Sequence, residues 1–76
     1  MILKKAIGVL RMIVYDRLWS LLKEKKVSQY KLNNLGISHS TLTRLKRNQV
    51  VNTETIDKLC SILDCKVEDI LEYKKE

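Results

Sequence analysis

Apolar residues recur along this chain at three- and four-residue intervals, broken by short polar stretches, and this pattern divides it into helices. Tyr15, Leu18, Trp19 and Leu22 form one apolar stripe. They predict a first helix from about Asp16 to about Lys25. Asp16 serves as its N-cap or first-turn acid, and Lys23, Lys25 and Lys26 gather at the end where the helix dipole favours cations. Ser28 is placed to cap a second helix over about Gln29–Asn34. Gly36 reads as a turn residue, because glycine accepts positive φ without steric cost. Ser38 stands where an N-cap belongs, and Leu42 and Leu45 turn inward beside Ile37 to make a third helix. After a loop from Asn48 to Asn52, Asn52 or Thr53 caps a fourth helix to Leu63, whose inward face is Ile56, Leu59, Cys60 and Leu63. A fifth short helix over about Val67–Glu72 carries Val67, Ile70 and Leu71, although Lys66 is a poor cap for it. The remaining Tyr73–Glu76 reads as a polar tail that frays.

Ahead of the first helix, Met12–Tyr15 has the β-branched and aromatic character of an extended segment. Residues 1–11 are an N-terminal arm, either mobile or a short amphipathic helix through Leu3, Ala6, Ile7 and Leu10. The organised domain then spans 12–76. The expected fold class is all-α, a compact five-helix domain.

The second and third helices, with Gly36 between them, have the layout of a helix-turn-helix, whose second helix enters the DNA major groove. His39, Ser40, Thr41, Thr43, Arg44 and Arg47 are left on the outside of that helix, as short polar groups and guanidinium groups suited to base edges and phosphates. Charge sharpens the picture. No acidic residue lies between Glu24 and Glu54, while Lys25, Lys26, Lys31, Arg44, Lys46 and Arg47 do; the other nine Lys and Arg balance the nine Asp and Glu. The whole formal charge of +6 therefore falls on the helix-turn-helix and its flanks. A solvated basic face on an ordinary small domain is the plainer reading, but it does not explain why the surplus coincides with the groove-binding pattern.

Length and composition narrow the alternatives. At 76 residues there is room for one domain. The absence of Pro and Phe, with only two Gly, suits helices with short connections. No apolar run reaches membrane-spanning length, and Arg11 interrupts the faintly signal-like start. Cys60 and Cys65 are too few for a disulfide-stapled fold and fit free thiols in a reducing cytoplasm. A zinc site would need both of them, His39 and a fourth ligand, yet His39 belongs to the outward face of the third helix. With one histidine, and no nucleophile, base and orienting group together, catalysis is not expected, nor is a cofactor.

The motifs Y-D-R-L-W-S-L-L at 15–22, G-I-S-H-S-T-L-T-R-L at 36–45 and L-C-S-I-L-D-C-K-V-E-D-I-L-E-Y at 59–73 resemble, in order and spacing, the Cro/phage-repressor (Xre) class of bacterial helix-turn-helix regulators, small single-domain members in particular. The resemblance covers about Met12 to Tyr73. It implies a five-helix domain that binds double-stranded operator DNA, commonly as a homodimer on a two-fold site. His39, Ser40, Thr43 and Arg44 fall where such proteins meet base edges. Ser38 joins them near phosphates, Gln29 matches a phosphate-binding glutamine at the start of the second helix, and Arg47 and Asn48 lie in a loop that touches the backbone. By their charge, Lys25, Lys26, Lys31 and Lys46 complete the phosphate candidates. One departure stands out: Lys31 occupies the place of an apolar residue, and Leu32, four before Gly36, is shifted to fill the core. The resulting expectation is a repressor-type transcriptional regulator. The alternative is an antitoxin or antirepressor that keeps the fold and uses its Leu/Ile-rich arm on a protein partner.

Overall fold

The computed structural model describes residues 11–75, so the expectation for the arm at residues 1–11 lies outside it except at Arg11, which opens a strand. Strand β1 (Arg11–Val14) leads into helices α1 (Asp16–Lys25), α2 (Gln29–Asn34), α3 (His39–Lys46) and α4 (Thr53–Leu63). A single turn of 3-10 helix (Val67–Asp69) then leads to strand β2 (Glu72–Lys75). The two strands pair antiparallel, with Val14 opposite Glu72 and Ile13 opposite Tyr73.

Each element contributes to one core. Leu18 of α1, Leu32 of α2, Ile37 of the turn, Leu45 of α3, Leu59 of α4 and Ile70 beyond the 3-10 turn are all sealed from solvent. Burying an aliphatic side chain of this size contributes about 1.5–3 kcal/mol, so this shared contact is what holds such short helices together. Leu32 is in that core while Lys31 is exposed, which is how the departure at α2 is accommodated. Trp19 and Cys60 pack against the core but are only half-buried. No helix among the described residues is long and apolar enough to cross a membrane.

Side-chain caps start three of the helices. Ser28 accepts the Lys31 N–H at 3.0 Å, Ser38 that of Thr41 at 3.2 Å, and Asn52 that of Thr55 at 2.9 Å. Asn52, not Thr53, is therefore the cap of α4. Asp16 lies in the first turn of α1, and the cap position is taken by Tyr15 without a side-chain bond. All four helices stop at a residue of positive φ: Lys26, Gly36, Asn48 and Asp64. After each, the next N–H reaches back to a carbonyl of the last turn, as from Ile37 to Leu32 at 3.1 Å.

The all-α, five-helix expectation is corrected at the two ends of the domain. The fifth helix is one 3-10 turn, Val67 is exposed, and Tyr73–Lys75 is strand, not frayed tail. Arg17 is the physical reason. Its Nη1 donates to the Glu68 carbonyl at 2.8 Å, the acceptor that a continuing helix would offer to residue 72, and its Nε meets the Glu72 carboxylate at 2.6 Å. The chain is pulled straight there and pairs with β1. The 3-10 turn is closed instead by Asp69, whose carboxylate accepts the Lys66 backbone N–H at 3.0 Å.

Candidate nucleic-acid interface

Gly36 sets the angle between α2 and α3. Its φ is +111°, and the Asn33 side-chain amide donates to the Ile37 carbonyl at 3.1 Å, fixing the exit from the turn. With Leu42 and Leu45 buried, the opposite side of α3 faces outward in two strips. His39, Thr43 and Lys46 form one, at three- and four-residue spacing. Ser40, Arg44 and Arg47 form the next.

The first strip lines a cleft of about 260 Å³ against the start of α2, where Gln29, Tyr30 and Asn33 form the other wall. Four of the sequence-derived candidates, Gln29, His39, Thr43 and Lys46, are thus brought together. Tyr30 joins them. It is 75% exposed and was passed over in the sequence, where the only sign was an aromatic residue off the apolar face of a polar helix.

Several candidates already hold internal bonds. The Ser38 hydroxyl caps α3, donates to the Thr41 hydroxyl at 2.8 Å and lies 3.2 Å from that of Ser40. The half-buried Thr43 donates to the His39 carbonyl at 3.1 Å. Asn48 has φ +54°, and its Oδ1 accepts the Tyr15 N–H at 3.0 Å, while the Tyr15 hydroxyl donates to the Gln49 carbonyl at 3.0 Å. Burial raises the Tyr15 pKa, which keeps the phenol in the protonated form that this bond needs. The exposed side chains of His39 and Arg44 make no internal hydrogen bond among the described residues. Lys25 and Lys26 end α1 and do not line the cleft; Lys25 lies within electrostatic reach of Cys65.

None of the six cations between Glu24 and Glu54 has an ion-pair partner among the described residues. The ion pairs present, Arg17 with Glu72 and Lys74 with Asp16, lie elsewhere. The Cys65 thiol is pushed up to about 11, first by burial and then by Cys60 beside it, so Cys65 has no thiolate character; neither cysteine is in a disulfide. Among the described residues, no three His, Cys, Asp or Glu side chains gather in metal-binding reach.

A short capped helix held at a fixed angle by a glycine turn, with unpaired cations around it, defines a helix-turn-helix of the DNA-binding kind. The Cro/C1-type HTH DNA-binding domain matches residues 17–76, and the chain belongs to that family. It is similar to the transcriptional regulator VanUg, known from a crystal structure (Form II). The two share 30% identity over 87% of this chain and 89% of that one, with a TM-score of 0.80. No curated protein matches the chain. The family expected from the motifs is thereby established.

Proposed function

We propose that this chain is a non-catalytic, sequence-specific transcriptional regulator of the repressor type, acting in the cytoplasm on double-stranded operator DNA. The observation that carries this reading is the set of six unpaired cations around an exposed recognition helix. α3 enters the major groove. Arg44, in the last turn of α3 and free of internal bonds, reads a guanine by its two-pronged guanidinium, with His39, Ser40 and Thr43 beside it. Lys46, Arg47 and Gln29 hold phosphates, joined by Lys31 and the two lysines that end α1. Ser38 and Asn48 act through the backbone they position, since their side-chain oxygens are engaged. One short helix gives little specific affinity, so two copies bind half-sites about 34 Å apart.

Nuclease footprinting on the DNA flanking the chain's own gene locates the site, and fluorescence anisotropy then measures binding across salt. For about five phosphate contacts, the slope of log affinity against log salt is about −4 to −5. Arg44→Lys keeps the charge and loses the planar fork, so it weakens operator binding by about 1–3 kcal/mol and leaves random DNA unchanged. Lys46→Ala weakens both alike and reduces the slope by about one. A slope near zero would remove the DNA reading.

A further inference from the structure

The left-handed stop that ends α4 brings the two cysteines of the chain together. Asp64 takes φ +51°, and the Cys65 N–H reaches back to the Cys60 carbonyl at 3.1 Å. Side chains at these two positions of such a stop commonly meet. With that hydrogen bond made, standard bond lengths keep the two Cα atoms within about 7 Å, the limit beyond which a disulfide cannot close. Both thiols are half-buried, and both line one groove between α4 and the 3-10 turn, beside Ile56 and Val67. We infer that Cys60 and Cys65 are a modification site, an intrachain dithiol that a small-molecule disulfide oxidises to a staple across the end of α4.

The exchange balances with the two thiols and the oxidant alone. The Cys60 sulfur gives its proton to solvent and attacks one sulfur of the oxidant. A mixed disulfide forms, and the first thiol leaves with a proton from solvent. The Cys65 sulfur then gives up its own proton and attacks the Cys60 sulfur, which closes the disulfide of the chain and releases the second thiol. Two cysteines are oxidised, and one disulfide is reduced to two thiols. Cys60 opens the exchange because Cys65 is pushed up to about 11, by burial, Cys60 and Asp69 against a smaller opposing effect of Lys25. The other charged groups of the groove are Asp57 and Lys66. Closing is therefore slow at neutral pH, and oxidation takes a sustained excess of disulfide. The staple lies on α4, apart from the cleft lined by α2 and α3, so it acts on stability. The inference does not rest on the proposed DNA reading.

The test treats the full chain with excess glutathione disulfide at mildly alkaline pH, blocks the remaining thiols with iodoacetamide and weighs the product by mass spectrometry. Wild type loses the mass of two hydrogens, keeps no glutathione, takes up no iodoacetamide and remains a single chain. Its melting temperature rises by a few degrees, and dithiothreitol reverses the rise. Cys65→Ser stops after the first step and carries one glutathione on Cys60, whereas Cys60→Ser is modified at least about tenfold more slowly. The wild-type measurement needs no variant, so poor folding of either variant leaves the test intact. The inference is overturned if wild type holds glutathione on both cysteines, links two chains or keeps two alkylable thiols, or if oxidation fails to raise the melting temperature. A Cys60→Ser chain that reacts as fast as Cys65→Ser would overturn the order of attack.

Discussion

At the scale of single residues, Asn48 shows how a position can suit two readings until its bonds are seen. In the sequence it is a phosphate candidate because the family resemblance sets it in a loop that touches the DNA backbone. In the fold it takes the positive φ that ends α3, and its carboxamide oxygen satisfies the Tyr15 N–H. Asparagine tolerates that φ better than most side chains, and the partly buried N–H needs an acceptor. A series at this site separates the two requirements. Asn48→Asp keeps both and stays near wild-type stability. Asn48→Gly relieves φ but loses the acceptor, costing about 1 kcal/mol, and Asn48→Ala fails on both counts, costing about 1–3 kcal/mol. Urea midpoints give the order; three equal midpoints would mean that Asn48 matters only to a ligand.

At the scale of elements, what was legible in the sequence is what local chemistry fixes. Ser28, Ser38 and Gly36 announce the helix-turn-helix because caps and turn glycines act within a few residues, and the leucine spacing then dictates which side of α3 faces out. The other helix stops were harder, since Lys26 and Asp64 take the left-handed conformation with no glycine to mark them. β1 was legible as the extended segment expected over Met12–Tyr15, but its partner strand and the broken fifth helix were not. Both depend on Arg17 finding Glu68 and Glu72, which lie more than 50 residues away in sequence. Tyr30 was missed because its partners in the cleft come from α3, and the internal bond of Asn48 because its partner is the start of α1. The stops allow a direct comparison. Lys26→Gly removes left-handed strain and raises stability by up to about 1 kcal/mol. Gly36→Ala lowers it by at least about 1 kcal/mol although the new methyl meets no clash, its nearest neighbour being Lys58 Nζ at 3.8 Å, since φ +111° disfavours a side chain. Thermal melts of the two variants should move in opposite directions.

At the scale of the whole molecule, charge is divided between two tasks. The ion pairs join α1 to the C-terminal strand, whereas the six cations of the central interval, a stretch of sequence with no acid, have no ion-pair partner among the described residues. Such a cluster repels itself in the free protein, which lowers stability, and attracts a polyanion, which raises affinity. Salt therefore acts on the two properties with opposite sign. Screening the cluster should raise the melting temperature by a few degrees between about 10 mM and 0.5 M sodium chloride, as the Debye length shrinks from about 30 Å to below 8 Å. Screening of the surface pair Arg17–Glu72 opposes this by less, because exposed pairs contribute only about 0–1 kcal/mol. DNA replaces the missing anions. At low salt, a duplex present at about 100 times its Kd adds about 2.7 kcal/mol of stability by mass action. For a domain of this size that raises the melting temperature by roughly 10–20 °C. Differential scanning fluorimetry over salt, with and without duplex, reads both effects in one experiment. The two melting curves should converge as salt rises. A free protein whose melting temperature falls steadily with salt would show that the six cations do not strain the fold, and a duplex that leaves the melting temperature unchanged at low salt would show that they do not meet DNA.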